Sequence, residues 1–409
     1  MTQTTTTQWS KIRYLSLARA FSLLGTELTM FTLVFREKDQ GPLAVALLFI
    51  VGTVPMIIFA PWAGTIADRV STKVAVPIFS AIAGLAVLAQ TLPLQNWAIF
   101  SLLFLANTCA SVVGPCWSKL IPVLATPEDT GRAMGVVQTY FSVAGLIGPS
   151  IAGILVKQTG YFWTFVIDGL ATIFIAVVPF LLNINHEPEE LKAGEKTDVA
   201  EGFKFLMKNA LLRSLVIMIF ALVLCISIVN VGDVFLMTDI LGADAFIYAL
   251  VGTGFAVGTF VFSALAGSLK LSLKAQLVVV GVGSLCLATC CLLVGVAPNY
   301  WVIMGLWFVA GGANATLNTY GVGMMIPAVP REVQGRVFAA FSAITSVASI
   351  GSMSMAGFLI NAFGVREIFV ISGVLSVLSV LLLYPSVYRE QSKIIEAGEA
   401  KPTEPVPAS

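Results

Sequence analysis

Gly64-Thr-Ile-Ala-Asp68-Arg69-Val-Ser-Thr-Lys73 puts three charged side chains into ten residues. It stands between two apolar runs, residues 42–63 and 74–92, each close to the roughly 20 residues that cross a bilayer. Asp68, Arg69 and Lys73 are costly to place in hydrocarbon. A segment this polar between two such runs is therefore a loop at a membrane surface.

The pattern repeats outward along the chain. Of 409 residues, 57% are hydrophobic and 11% charged, against roughly 25% charged in a soluble domain. Apolar windows of membrane-spanning length fall at 14–35, 42–63, 74–92, 97–118, 133–155, 162–183, 211–238, 245–267, 275–296, 300–323, 337–359 and 366–386. They are parted by charged or turn-rich stretches such as Arg36-Glu-Lys-Asp-Gln-Gly41 and Pro330-Arg-Glu-Val-Gln-Gly335. The expected fold is an all-α membrane protein with twelve spans. Residues 1–183 and 211–388 form two six-helix bundles, 184–210 a cytoplasmic linker, and 389–409 a charged, Pro-bearing, disordered tail. The first run is too long for a signal peptide and lacks a small-residue cleavage site, so it reads as span 1.

Charge sets the expected orientation. With the N-terminus in the cytoplasm, only Arg36, Lys38, Lys157 and Arg366 of the 23 Lys and Arg residues lie outside. That is the positive-inside bias, with both termini cytoplasmic. A net charge of +1 suggests no nucleic-acid partner. Cys109, Cys116, Cys225, Cys286, Cys290 and Cys291 all lie in apolar runs without CxxC spacing. They read as small buried hydrophobes, with no metal or cofactor expected. No GxxxxGK[ST] loop is present, and the single histidine, His186, lies in the linker and excludes a membrane histidine relay. No nucleophile has a visible base, so an enzyme is not expected.

An internal repeat supports two halves. Gly131-Arg132 recurs as Gly335-Arg336, Ala152-Gly153 as Ala356-Gly357, and Gly160 as Gly364, each 204 residues on. Ala63-Gly64 recurs as Ala266-Gly267 at 203. Parallel repeats with a substrate site between them near mid-membrane are one way transporters are built.

The Gly64-to-Lys73 stretch resembles the loop between helices 2 and 3 of the major facilitator superfamily. Gly145-Leu-Ile-Gly148-Pro149-Ser-Ile-Ala-Gly153 is similar to the antiporter motif of its drug exporters, with Ala152 in place of a glycine. Pro122, Gly131-Arg132, Asp168 and the Glu201-to-Leu206 run resemble residues of macrolide-efflux and enterobactin-exporter-like proteins. Span 4 lacks the internal arginine common in drug antiporters, and Lys119 lies only at its inner end. The resemblance implies gating by Gly64, Asp68, Arg69 and Lys73, with Asp68 facing the start of span 11, and antiport through Gly145, Gly148, Pro149 and Gly153. Each motif also has a plain structural reading, as a topology signal or as close helix packing.

Ionisable residues within spans are functional candidates. Glu27 sits mid-span 1, and the resemblance places an acidic residue near it in several exporters, binding cations or protons. Asp233 shares a face of span 7 with Asn230, towards its outer part. Asp168 reads as structural, Arg19 as a snorkelling residue, and Arg132 and Arg336 as orienting spans 5 and 11. Asn107, Gln138, Asn314 and Asn318 are candidate cavity-lining polar residues, with bonding between helices as the competing role.

The expected function is secondary active transport, as proton-coupled efflux of hydrophobic or cationic drug-like small molecules by alternating access. The alternative is export of a specific physiological solute (siderophore, lipid or metabolite) by antiport or uniport. A non-transporting receptor or a lipid scramblase on the same fold is a further class. Partners are then a small-molecule substrate, protons and the bilayer, and a monomer is expected. Short loops and exporter-like motifs suggest a bacterial cell (inner) membrane.

Overall fold

Hydrocarbon offers no water to backbone N–H and C=O groups, so an apolar run must close its own hydrogen bonds as helix. The computed structural model does so throughout its described residues, which are 6–126, 128–184, 199–269, 271–325, 329–330 and 333–399. Eleven helices there are long and apolar enough to cross a membrane, and one bent pair makes twelve. Span 1 is Trp9–Glu37, span 3 Thr72–Ala89, span 4 Asn96–Ser118, span 5 Thr130–Thr159 and span 6 Phe162–Leu181. Span 7 runs over Ala210–Ile240 and span 8 is Ala245–Ser268. Span 9 is Leu273–Gly295, span 10 Tyr300–Met325, span 11 Gln334–Phe363 and span 12 Val365–Glu399.

Span 2 is the bent pair. Its parts, Pro42–Ile58 and Trp62–Arg69, meet at 51°. Pro61 follows the break at Phe59, and a proline there cannot donate to the preceding turn. The helix therefore continues past residue 63, and Asp68 and Arg69 lie on its last turn rather than in an open loop.

At two points the helices extend beyond the sequence expectation. Val199–Lys208 is helical within the expected linker, while His186, with the rest of 185–198, lies outside the described residues. Span 12 continues through Glu399, past the residue 389 at which a disordered tail was expected. Glu, Lys, Gln and Ala beyond Tyr388 are good helix formers and propagate a helix already nucleated in the membrane.

By their internal contacts the residues form two units. The first comprises Met1–Lys196, Val231–Ala256 and Met353–Ala362, and the second Thr197–Asn230, Val257–Ser352 and Phe363–Ser409. In each, the face on which its first span begins is called the near face and the opposite one the far face. The first unit has a near-face core of Ile12, Leu15, Trp117, Ile121 and Ile175. The second has one of Leu211, Leu215, Leu277, Met325 and Val387. Large apolar side chains also cover the outside, among them Leu85, Phe174, Phe260 and Leu382. Such a surface is stable against lipid and not against water.

The repeat seen in the sequence reappears as geometry. Gly160 and Gly364, 204 apart, end spans 5 and 11 with φ of +73° and +97°, where a side chain would be strained. Within the first unit, a Cβ at Gly169 would lie 2.5 Å from Leu88 Cγ. Within the second, a Cβ at Gly373 would lie 2.4 Å from Leu292 Cβ, and both partners are again 204 apart. Spans 3 and 6 thus pack as spans 9 and 12 do, through a glycine that admits a leucine. Arg132 lies over the Trp9 ring at 4.9 Å, and Arg336 pairs with Glu201 at 2.5 Å. Both arginines hold the start of a span to the segment that leads into its unit.

Candidate functional site

Glu27 lies halfway along span 1, half-buried, on the side that meets span 5. The two helices cross at Gly148, where a Cβ would fall 2.7 Å from Glu27 Cβ. Gly148 therefore sets how closely span 5 approaches the carboxyl group. Gly153 does the same for span 8, since a Cβ there would lie 2.7 Å from the Ala245 carbonyl oxygen. Gly145 meets nothing within 4 Å, so the close approach expected there is absent: the crossing lies one turn further along. Span 5 passes through Pro149 as one continuous helix.

One helical face carries the site outward from Glu27. Phe31 and Phe35 follow at successive i+4 steps and stack with centroids 4.8 Å apart. Tyr248 of span 8 leans on both, at 5.6 and 5.4 Å. Its hydroxyl faces the Asp233 carboxyl group of span 7. Asp233 thus lies by this aromatic cluster inside the first unit, and Glu27 precedes its first ring by one turn of span 1. The sequence reading missed Phe31, Phe35 and Tyr248. The i, i+4, i+8 series from Glu27 was a usable signal for the first two; for Tyr248 there was none, because only folding brings span 8 to span 1. Chemically, a carboxylate beside stacked rings suits a hydrophobic cation, held by charge and by the ring faces.

A π-helical turn, Leu236–Ile240, begins three residues after Asp233, and Asn318 lies in another, Leu317–Gly321. Such turns break the regular backbone ladder and are frequent at functional positions. Asn318 Nδ2 donates to the Asn314 carbonyl at 2.9 Å and to Asn314 Oδ1 at 3.3 Å. Both asparagines belong to the second unit. Asn107 donates to Leu103 O at 3.0 Å, on its own helix. Gln138 is exposed on span 5.

Charged residues close both ends of the first unit. On the near face Asp68 pairs with Lys119, which also donates to the Ala67 carbonyl at 3.1 Å. The cation facing the loop acid therefore comes from the end of span 4. Lys73 donates to Asn183 Oδ1 at 2.8 Å, tying the loop to the end of span 6. Gly64 meets nothing within 4 Å, and Arg69 is exposed. On the far face Lys38 lies 3.6 Å from Asp239 and Lys157 2.7 Å from Asp244. The Lys157 ammonium, with the Ile247 backbone N–H, holds the Asp244 carboxyl below the usual carboxylate range. The six cysteines are free, four of them buried.

Residues 10–407 match the family described as transmembrane secretion effector, one of the major facilitator (MFS) transporter families. The chain belongs to that family: it is a multi-pass membrane transporter and not an enzyme. It is 24% identical over 368 residues to a Bacillus subtilis protein called uncharacterized MFS-type transporter YfiS, covering 86% of each chain. To multidrug resistance protein MdtG of Proteus mirabilis it is 23% identical, covering 85% of this chain and 87% of that one. Macrolide efflux protein A of Streptococcus pyogenes is 20% identical over 47% of this chain and 50% of its own length. Among solved structures, nucleoside transporter NupG superposes with TM-score 0.75 at 14% identity, over 93% of this chain and 98% of that one. A peptide transporter of the POT family gives 0.76 at 13%, over 93% and 95%. At such identities the structures speak for the fold alone.

Proposed function

We propose that the protein exports hydrophobic or cationic drug-like small molecules in exchange for protons. The observation that carries this is the first unit's line of Glu27, Phe31, Phe35, Tyr248 and Asp233, two carboxylates around an aromatic cluster. Glu27 holds a proton when the site is empty and yields it when a cation arrives, because two positive charges on one half-buried carboxylate exclude each other. A neutral or cation-paired Glu27 crosses the low-dielectric interior far more cheaply than a bare carboxylate. Energy then comes from the proton gradient. Efflux in the name of the Streptococcus pyogenes relative supports the direction.

Movement follows from two six-helix halves, 1–183 and 211–388, exposing the site to each face in turn. The positive-inside bias makes the near face cytoplasmic, with both termini there, in the cell (inner) membrane. Gly64, Asp68, Arg69 and Lys73 govern the cytoplasmic end, the Asp68–Lys119 pair holding the loop in place. Asn107, Gln138, Asn314 and Asn318 contribute polar contacts, and a monomer is sufficient.

The test is uptake of a fluorescent cationic dye into inverted membrane vesicles with an acidified lumen, for wild type and Glu27→Gln. Expected is uptake that stops when the gradient is discharged and falls at least tenfold in Glu27→Gln. Gradient-driven uptake that survives Glu27→Gln removes Glu27 from coupling. Absence of dye movement in the wild type overturns the broad substrate class in favour of a single physiological solute.

A further inference from the structure

Spans 1 and 6 meet along a line of hydroxyl groups inside the first unit. From near to far face, Ser22 Oγ lies 3.5 Å from Thr172 Oγ1, and Thr172 donates to Asp168 Oδ1 at 3.2 Å. The Thr29 hydroxyl faces the same carboxyl group, and Thr32 donates to Thr164 at 2.8 Å. Asp168 is 2% exposed, and Ser22, Thr29, Thr32 and Thr164 are buried with it. Gly25 makes the approach possible: a Cβ there would lie 2.7 Å from Asp168 Cα and 2.8 Å from Oδ1.

An ionised carboxylate in such a place needs a cation or a full set of donors. Among the described residues, no charged side chain of the helices packed on span 6 forms an ion pair with Asp168, and Lys73, Arg132, Lys157 and Arg36 are engaged elsewhere. Span 3 presents Gly84 and Leu88, and its one ionisable side chain, Lys73, is bonded to Asn183 at 2.8 Å. On span 5, Arg132 lies over Trp9 and Lys157 pairs with Asp244, with Tyr140 between them. On span 1, Glu27 faces Gly148, Arg36 donates to Leu94 O and lies beside Glu37, and Lys11, Arg13, Tyr14 and Arg19 precede Ser22. Arg19 is six residues before Gly25, roughly 9 Å of helix rise. What meets the Asp168 carboxyl group is the Thr172 hydroxyl, which donates to it at 3.2 Å, with the buried Thr29 hydroxyl facing it and making no hydrogen bond. A neutral carboxylic acid, donating one hydrogen bond and accepting others, fits that surrounding.

The repeat adds an independent observation. The residue 204 positions beyond Asp168 is Ser372, also buried, bonded through its hydroxyl to the Cys225 carbonyl. Ser376 occupies the place of Thr172 and donates to Ser372 O at 2.7 Å. Helix packing at this position is thus met by a hydroxyl in the second unit. The carboxyl group at 168 supplies what a serine cannot, a proton exchangeable at ordinary pH.

We propose that Asp168 is a second proton-carrying group of this transporter, reached along the hydroxyl line between spans 1 and 6. A proton taken from water on one face passes to the Asp168 carboxylate and later leaves to water on the other. Each hydroxyl on the way accepts one proton and gives up one, so nothing else is consumed. The use of that proton in transport rests on the antiport reading; the protonation itself does not.

The experiment is infrared difference spectroscopy of the full chain in lipid vesicles, titrated with pH, for wild type, Glu27→Gln, Asp168→Asn and Thr172→Val. A carboxylic-acid C=O band is expected at neutral pH in wild type and Glu27→Gln, converting to carboxylate as pH rises and absent from Asp168→Asn. Thr172→Val keeps the carboxyl group and loses one bond to it, so the same band moves to higher frequency. Two results overturn the proposal: a spectrum unchanged by both substitutions, or a band that never titrates while the protein stays folded, which is a fixed structural acid. Substrate-induced proton release, read with a pH dye, separates the two readings. Expected is loss of part of the release in Asp168→Asn. Full release there with a titrating band overturns the transport role alone, while Glu27→Gln reports on the antiport reading.

Discussion

Glu27, Phe31 and Phe35 share one face of span 1 because 3.6 residues make a turn, and that is readable from the chain. What those side chains meet is not. Tyr248 is 221 positions beyond Glu27 and joins them only because span 8 packs on span 1. A cation against a free ring face or edge of this cluster gains roughly 0.5–2 kcal/mol per well-placed ring. Phe31→Ala is accordingly expected to weaken binding of a cationic dye by about three- to thirty-fold, read by fluorescence titration. Tyr248→Phe, which keeps the ring and loses the hydroxyl facing Asp233, is expected to weaken it less. Equal affinity in all three proteins would place the dye elsewhere. Asp168 carries the opposite lesson. Its residue type was visible, but its enclosure by Gly25, Thr29 and Thr172 was not, and from the sequence it read as merely structural.

At the scale of elements, the glycines of span 5 look alike in sequence and are unlike in place. Gly148 has no room for a Cβ beside Glu27, whereas Gly145 has open space. Gly148→Ala is expected to cost about 1–3 kcal/mol through overpacking, with a lowered thermal midpoint in detergent. Gly145→Ala is expected to melt with the wild type, and a shared loss would show that span 5 bends at both. The break in span 2 was within reach of sequence, since Pro55 and Pro61 bracket it. Its 51° angle depends on what the second segment packs against. The helical extension beyond Tyr388 was hidden because charge and proline content are also the signature of disorder.

For the molecule as a whole, the ends of the first unit are held by ion pairs on both faces. Lys157 and Asp244 are about half exposed, so the pair contributes less than about 1 kcal/mol. That is still up to about a fivefold bias between two conformations. Lys157→Met is therefore expected to raise labelling of Ala245→Cys by a membrane-impermeant maleimide up to about fivefold. The Asp244 pKa is lowered in the folded state, so the pair's contribution is complete above the ordinary Asp value and fades as pH falls through the lowered one. Labelling should thus be insensitive to mild acidification; a rise within the histidine range would assign the closure to another group. The membrane environment, the number of spans and the internal repeat were all legible in the chain. These follow from local hydropathy and from like residues at fixed spacing, which need no knowledge of neighbours. It took the packed helices to make Lys119 the partner of Asp68, to bring Gly148 and not Gly145 against span 1, and to set Tyr248 against Phe31 and Phe35. Those outcomes depend on which helix faces which, and between apolar helices in lipid that choice is made by close packing of small residues and by paired polar groups, to which hydropathy is blind.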